Sequence, residues 1–177
     1  MPGSAPESLA ESFQPVIGQS VTLRPLRPDD LDIERAFVTG LSDETRANRL
    51  LGGAVRITDE YIRRLTRIDW SREAAIAAVV MLEGAEVLIG VARYVADADG
   101  RACEFAVVIA DAWQGRGIGR RLLEKLVALA RTRGYAAIYG EILATNAGML
   151  RLARKLGFAV LPHPGDRTLA RANLALA

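Results

Sequence analysis

The stretch QGRGIG, Gln114 to Gly119, places three glycines within five residues. The apolar run FAVVIADAW precedes it, and the amphipathic run RRLLEKLVALA follows it. Glycine is costly in an ordered backbone, because it loses more conformational freedom on folding than any other residue. A glycine cluster between a strand and a helix therefore indicates a point where a ligand approaches the main chain closely.

The position of this loop predicts an anion site. Unpaired backbone N–H groups and the positive end of the helix dipole converge at a helix N-terminus. Arg116, Arg120 and Arg121 are interleaved with the glycines. A tight turn that binds nothing would explain one glycine, but three of them beside three arginines favour a bound phosphate.

Two common phosphate loops do not fit this stretch. A Walker A loop requires GxxxxGK[ST], and the chain has no lysine followed by serine or threonine. The dinucleotide fingerprint GxGxxG fails because its third glycine would fall on Arg120 or Leu122. The sequence thus disfavours a P-loop nucleotidase and an NAD-binding protein.

Length and composition predict the domain organisation. The 177 residues, half of them hydrophobic, fit one domain over residues 16–177. Residues 1–15, rich in serine, proline, alanine and glutamate, are expected to form a flexible tail. No run of about 18 apolar residues and no signal-peptide pattern occurs, so we expect a cytoplasmic protein without a membrane partner.

The net charge and the few potential metal ligands argue against a nucleic-acid-binding protein and a zinc protein. The net charge of +2 does not suggest a nucleic-acid partner, although 21 arginines accompany two lysines. One cysteine, Cys103, and one histidine, His163, cannot supply the four ligands of a structural zinc site. We therefore expect no metal.

The periodicity of the chain predicts an α+β fold with a mixed, mostly antiparallel central sheet flanked by helices. A strand, SVTLRPL, precedes helices that begin near Pro28, Ser42 and Thr58, the last two as N-caps. Three strands follow as an antiparallel meander, and then come the glycine loop, a helix, a strand and a helix. The segments FAVLP and RTLARANLAL are expected to complete the sheet.

The pattern Q-x-x-G-x-G, formed by Gln114, Gly117 and Gly119, resembles the loop of the GCN5-related N-acetyltransferase (GNAT) superfamily. A second block, Asn146 to Phe158, is similar to the N-x-x-(x)-L-x-x-x-x-G-F element of that family. Within the family, the chain looks most like the acetyltransferase domain of bacterial Pat-type protein lysine acetyltransferases. The closer match lies in RPLRPDD, LTRIDWSRE, CEFAVVIADAWQGRGIGRRLLEKL and NAGMLRLARKLGF.

The resemblance implies a GNAT fold with acetyl-CoA as co-substrate. In the family, this loop holds the pyrophosphate, and the preceding strand offers main-chain groups to the pantetheine arm. Asn146 is expected to cap a helix and to bind the CoA arm. The predicted acetyl-CoA-binding residues are Val107, Val108, Ile109, Gln114, Gly115, Arg116, Gly117, Ile118, Gly119, Arg120 and Asn146.

Acetyl transfer to an amine requires a base, because a lysine with a pKa of about 10.4 is protonated at neutral pH. Glu104 is the candidate, since it begins the strand that leads to the glycine loop and has apolar sequence neighbours that would raise its pKa. Pat-type enzymes carry a catalytic glutamate that aligns here. Glu73 and Glu141 are weaker candidates for the same role.

Other residues give weaker signals. Many GNAT enzymes place a tyrosine general acid four residues before the glycine of the second block, and this chain has Ala153 there. Cys103 and His163 could be read as a nucleophile and its base, but GNAT chemistry is direct transfer. Asp69 and Trp70 could touch the acceptor or could simply anchor a linker.

The resemblance predicts a lysine of a protein, such as an AMP-forming acyl-CoA synthetase, as the acceptor. Acetylation of a small amine is one alternative, and it predicts a closed, acidic acceptor pocket rather than an open groove. A catalytically silent CoA-binding module is the other alternative, and it would bind CoA through QGRGIG without needing Glu104.

Overall fold

Eight strands form one sheet in the computed structural model, which describes residues 4–177. The sheet has the order β1-β2-β3-β4-β5-β6-β8-β7, and β5 and β6 are its parallel pair among antiparallel neighbours. The strands are β1 Glu11–Val16, β2 Gln19–Pro25, β3 Glu73–Leu82, β4 Ala85–Ala96, β5 Ala102–Ile109, β6 Ala137–Leu143, β7 Ala159–Pro162 and β8 Leu169–Ala175.

Five α-helices accompany the sheet within residues 4–177: α1 Leu31–Gly40, α2 Asp43–Arg49, α3 Asp59–Thr66, α4 Ile118–Thr132 and α5 Ala147–Lys155. The hydroxyl groups of Ser42 and Thr58 cap α2 and α3, as predicted. The predicted α+β arrangement with a mostly antiparallel mixed sheet is confirmed. In this part of the chain, no helix is both long enough and apolar enough to span a bilayer.

Both faces of the sheet bury apolar side chains. Ile76, Ala78 and Val80 of β3 belong to the core under α4 and α5, whereas Ala77 and Val79 belong to the core under α1 and α3. Neighbouring residues of a strand point to opposite faces. The central strands therefore read as nearly continuous apolar runs.

The flexible tail predicted for residues 1–15 is wrong where the structure describes it. Residues 1–3 lie outside the described residues, but Glu11–Val16 forms an edge strand paired with β2. Pro15 lies where the register shifts between Phe13 and Val16, and an edge strand tolerates proline at such a point. Pairing with β2 orders this segment, so the composition of the segment alone does not predict the strand.

The parallel pair β5 and β6 separates along its length. Pairing runs from Ala102 opposite Ala137 to Glu104 opposite Tyr139 and then ends, although both strands continue. At the point of separation, a Cβ added to Gly140 would come within 2.7 Å of the Phe105 ring. The fold thus opens a gap inside the sheet directly beyond Glu104.

Candidate active site

A cavity of about 700 Å³ occupies the gap between β5 and β6 and extends to the glycine loop. It takes residues from both faces of the sheet, with Glu104 and Glu141 on one face and Ile118 and Ile142 on the other. The structure thereby brings together eleven of the twelve predicted site residues. They are Glu104, Val107, Val108, Ile109, Gln114, Gly115, Gly117, Ile118, Gly119, Arg120 and Asn146.

The glycine loop leaves its amide groups free for a ligand. Gly115 and Gly117 have φ values of 72° and 81°, in the left-handed region that favours glycine. Within residues 4–177, the N–H groups from Gly115 to Arg120 have no hydrogen-bond acceptor. Arg120, Arg151 and Lys155 add positive charge to the cavity lining. This set of donors fits the pyrophosphate and phosphate groups of acetyl-CoA.

Gln114 fastens the loop to its surroundings through its side chain. Its Nε2 donates to the Ile109 carbonyl oxygen at 3.0 Å and to Thr45 Oγ1 at 3.1 Å. A backbone carbonyl at the end of β5 and a side chain of α2 are thus joined by one amide group. Gln114 lines the cavity, but both observed bonds of its amide are structural.

Asp111 makes a second connection between the loop and α2. It accepts hydrogen bonds from the hydroxyl and backbone N–H of Ser42 and from the hydroxyl of Thr45. These bonds, those of Ser42 first, lower the pKa of Asp111 to about 2. The α2 residues Thr45, Asn48 and Arg49, with Leu51 just beyond them, consequently wall the cavity. The sequence predicted α2 from its Ser42 cap but contained no signal for this role.

Two predicted ligand residues differ in their placement. The guanidinium of Arg116 stacks on Trp113, with its central carbon 4.9 Å from the ring centroid, and Arg116 does not line the cavity. Asn146 caps α5 by accepting from the N–H of Met149 at 3.1 Å, and it also lines the cavity. Both parts of the Asn146 prediction are therefore compatible with the geometry.

Glu104 is exposed at the cavity, on the face of β5 opposite to Cys103 and Phe105. Desolvation is the largest cause that raises its pKa, followed by the negative charges of Glu141 and Asp97. The raised pKa agrees with the expectation for a general base, but the causes of the shift differ in part from those that the sequence predicted. The apolar sequence neighbours face the core, and two acids from other elements contribute instead.

Several weaker candidates lie away from the cavity. Cys103 is buried, and burial raises its pKa to about 12, which disfavours a thiolate nucleophile. Trp70 is buried in the core, while Asp69 accepts hydrogen bonds from Ser71 in a turn. Glu73 begins β3 and does not line the cavity. Ala153, at the position of the family's tyrosine, is completely buried.

The chain matches one family of known proteins over most of its length. A model described as the acetyltransferase (GNAT) family matches residues 42–158. The chain is 36% identical over 159 residues to Acetyltransferase PA5475 of Pseudomonas aeruginosa, a match that covers 90% of this chain and 86% of that protein. The chain therefore belongs to the acetyltransferase (GNAT) family, and its reaction is N-acetyl transfer from acetyl-CoA.

Solved structures agree with this assignment. The crystal structure of the GNAT domain of S. lividans PAT has a TM-score of 0.83 and 25% identity, covering 97% of this chain and 99% of that one. The structure of yncA from Salmonella typhimurium with its cofactor acetyl-CoA has a TM-score of 0.66 and 23% identity. The match between the two structures covers 89% of this chain and 94% of the yncA chain, and it supports the fold.

Proposed function

We propose that this enzyme acetylates a lysine side chain of a protein, such as an AMP-forming acyl-CoA synthetase, with Glu104 as the general base. The observation that carries the proposal is the exposure of Glu104 outside the core that α1 and α3 cover on its face of the sheet. On the same face, Asn173 of β8 is exposed, and Leu161 of β7 has 66% of its surface accessible.

An exposed site suits a protein acceptor better than a small amine. A small acceptor is recognised in a concave pocket that encloses most of its surface. A lysine on a protein surface belongs to a large molecule, so the site must be accessible enough for that molecule to approach. The sequence resemblance to Pat-type protein lysine acetyltransferases supports the same acceptor class, and the fold is similar to that of the GNAT domain of S. lividans PAT.

The reaction is a direct transfer. Glu104 takes a proton from the lysine ammonium, and the neutral nitrogen attacks the thioester carbonyl carbon of acetyl-CoA. A C–N bond forms, the C–S bond breaks with CoA leaving as a thiolate, and the acylated nitrogen releases its second proton to solvent. Within residues 4–177, the cavity lining contains no tyrosine, cysteine or histidine, so the thiolate receives its proton from solvent or from protonated Glu104.

The free amides of the glycine loop would hold the pyrophosphate, and Arg120 lies in the first turn of α4 beside them. The strand segment Val107 to Ile109 borders the gap left by β6, so its main chain can pair with the pantetheine arm. Such pairing orients the thioester toward Glu104.

The Glu104→Gln variant tests the proposal. Purified protein is incubated with labelled acetyl-CoA and either an AMP-forming acyl-CoA synthetase or a panel of small amines. We expect a synthetase lysine to be labelled by the wild type, and kcat to fall about 10²- to 10⁴-fold in Glu104→Gln. The affinity for acetyl-CoA should remain unchanged, because Gln keeps the shape of the side chain.

Glu83→Gln, in the exposed turn between β3 and β4, is the matched control and should retain full activity. Labelling of small amines alone would refute the protein acceptor. Tight acetyl-CoA binding without transfer to any acceptor would instead indicate the silent module. Equal rates for the wild type and Glu104→Gln would remove Glu104 from the mechanism.

A further inference from the structure

The Glu141 carboxylate is held firmly through one of its two oxygens. Arg171 donates to Oε1 from Nε at 2.7 Å and lies 2.5 Å from it through Nη2. The Nε2 atom of His163 lies 3.7 Å from the same oxygen. Arg171 also stacks over the Tyr139 ring at 5.3 Å, which fixes the guanidinium in turn. The orientation of the carboxylate is therefore set before any ligand binds.

The other oxygen of Glu141, Oε2, is buried and has no hydrogen-bond partner among residues 4–177. The side chain as a whole is 11% exposed. An unsatisfied buried acceptor is costly, more so when it is charged, and such groups are rare in native structures. Glu141 lines the cavity, so a ligand that reaches its carboxylate would supply the missing donor.

Glu141 and Glu104 border the same cavity on the same face of the sheet. Glu104 lies opposite Tyr139 in the last paired position of β5 and β6, and Glu141 follows two residues later on β6. Both residues line the gap that opens there. A group that enters the gap toward Glu104 thus also meets Glu141.

Resting on the proposed function, we propose that Glu141 is a positioning residue for the acceptor amine. Its Oε2 accepts a hydrogen bond from the ammonium group, while Glu104 accepts another. An ammonium has three donors, so both carboxylates can bind it at once. After Glu104 removes one proton, the bond to Glu141 keeps the nitrogen in place for its attack on the thioester. The arrangement selects a cationic amine over a neutral acceptor.

The charges around Glu104 make the inference testable by pH. Desolvation first, and then Glu141 of β6 and Asp97 of the β4–β5 turn, raise the pKa of Glu104, while Arg171 of β8 lowers it. Asp97 also accepts a hydrogen bond from the Tyr139 hydroxyl at 2.8 Å. Removing the charge of Glu141 should move the acidic limb of the rate profile to lower pH. Removing the charge of Arg171 should move it to higher pH.

The test compares steady-state kinetics of Glu141→Gln, Glu141→Asp and the wild type. An AMP-forming acetyl-CoA synthetase and N-α-acetyl-lysine amide serve as acceptors. For Glu141→Gln, we expect the acceptor KM to rise about tenfold, the value of one lost charge-assisted hydrogen bond, with the Kd of acetyl-CoA unchanged. Glu141→Asp withdraws the carboxylate but keeps its charge, so KM should rise while the acidic limb stays in place.

Asp59→Asn is the matched control, because it breaks an ion pair with Arg35 at 2.6 Å on exposed side chains away from the cavity. It should leave the acceptor KM and the pH profile unchanged. If the wild type acetylates an acceptor and both Glu141 variants keep its acceptor KM, the role of Glu141 is overturned while the proposed function stands. If the wild type binds acetyl-CoA but acetylates neither these acceptors nor the amine panel, both proposals fail together.

Discussion

Gly117 and Gly134 lie at opposite ends of α4 in the same left-handed backbone conformation, with φ values of 81° and 79°. An alanine at either position would be strained by about 1 kcal/mol, although a Cβ would meet no atom within 4 Å. We therefore expect Gly117→Ala and Gly134→Ala to lose similar stability. Urea unfolding measures this loss, and calorimetric titration measures acetyl-CoA binding.

The two variants should differ in ligand affinity, because Gly117 belongs to the cavity and Gly134 does not. Gly117→Ala is expected to weaken acetyl-CoA binding about fivefold or more, since it disturbs the amides that are proposed to hold the phosphates, while Gly134→Ala leaves the affinity unchanged. Equal affinities in the two variants would show that the loop conformation does not matter for the ligand.

The roles of single residues could be predicted from the sequence where those roles involve only neighbouring residues of the chain. Ser42, Thr58 and Asn146 cap helices as their sequence positions predicted, because a cap bonds to an amide three residues away. The electrostatic surroundings of Glu104 were not predictable. Asp97, Glu141 and Arg171 reach it through strand pairing and a turn, which a local pattern does not specify.

At the scale of elements, the Phe105 ring of β5 packs closely against Gly140 of β6 where the two strands separate. A Cβ on Gly140 would lie 2.7 Å from two ring carbons of Phe105, in a buried region. Gly140→Ala should therefore cost about 1 to 3 kcal/mol of unfolding free energy through overpacking. Chemical denaturation measures the change.

Phe105→Leu combined with Gly140→Ala should recover part of this loss, since the smaller side chain leaves room for the methyl group. Gly40→Ala is the control at the end of α1, where an added methyl group would have no atom within 4 Å, and it should change stability little. Additive effects of Gly140→Ala and Phe105→Leu would show that the two residues do not share the strain.

Elements with strong periodicity were predicted well, including the β3–β5 meander and both helices after the glycine loop. Two elements were misjudged for the same physical reason. The strand Glu11–Val16 gains its order from β2, and α2 gains its place beside the cavity from Asp111 and Gln114. Long-range partners determine the order of this strand and the position of α2, and neither segment has a sequence pattern that identifies its partner.

On the scale of the whole molecule, Glu11 ties the outermost strand to the helix that follows the glycine loop. Its carboxylate lies 2.9 Å from both Arg121 and Lys125, and the bond to Lys125 is the largest cause that lowers its pKa. Glu11→Gln should cost roughly 0.5 to 1 kcal/mol of stability at low salt, and less at about 1 M salt.

The pH dependence of this contribution has a definite sign. A lowered carboxyl pKa means that the stabilisation is present above the ordinary value of 4.5 and is lost as pH falls through the folded-state value. Thermal unfolding at about pH 7 and about pH 3 should therefore separate Glu11→Gln from the wild type more at the higher pH. A Glu83→Gln control should show no difference at either pH, and an equal gap at both values would contradict the ion-pair account.

The ion pair of Lys125 has a consequence for self-modification. Under the proposed function, copies of the enzyme itself compete with the protein substrate as lysine acceptors when acetyl-CoA is abundant. This chain offers two lysine side chains in 177 residues, with arginine at 21 positions. Lys125 is bound to Glu11 and only 17% exposed, and Lys155 lines the cavity that is proposed to hold acetyl-CoA. The surface therefore offers few lysines at which the enzyme could acetylate another copy of itself.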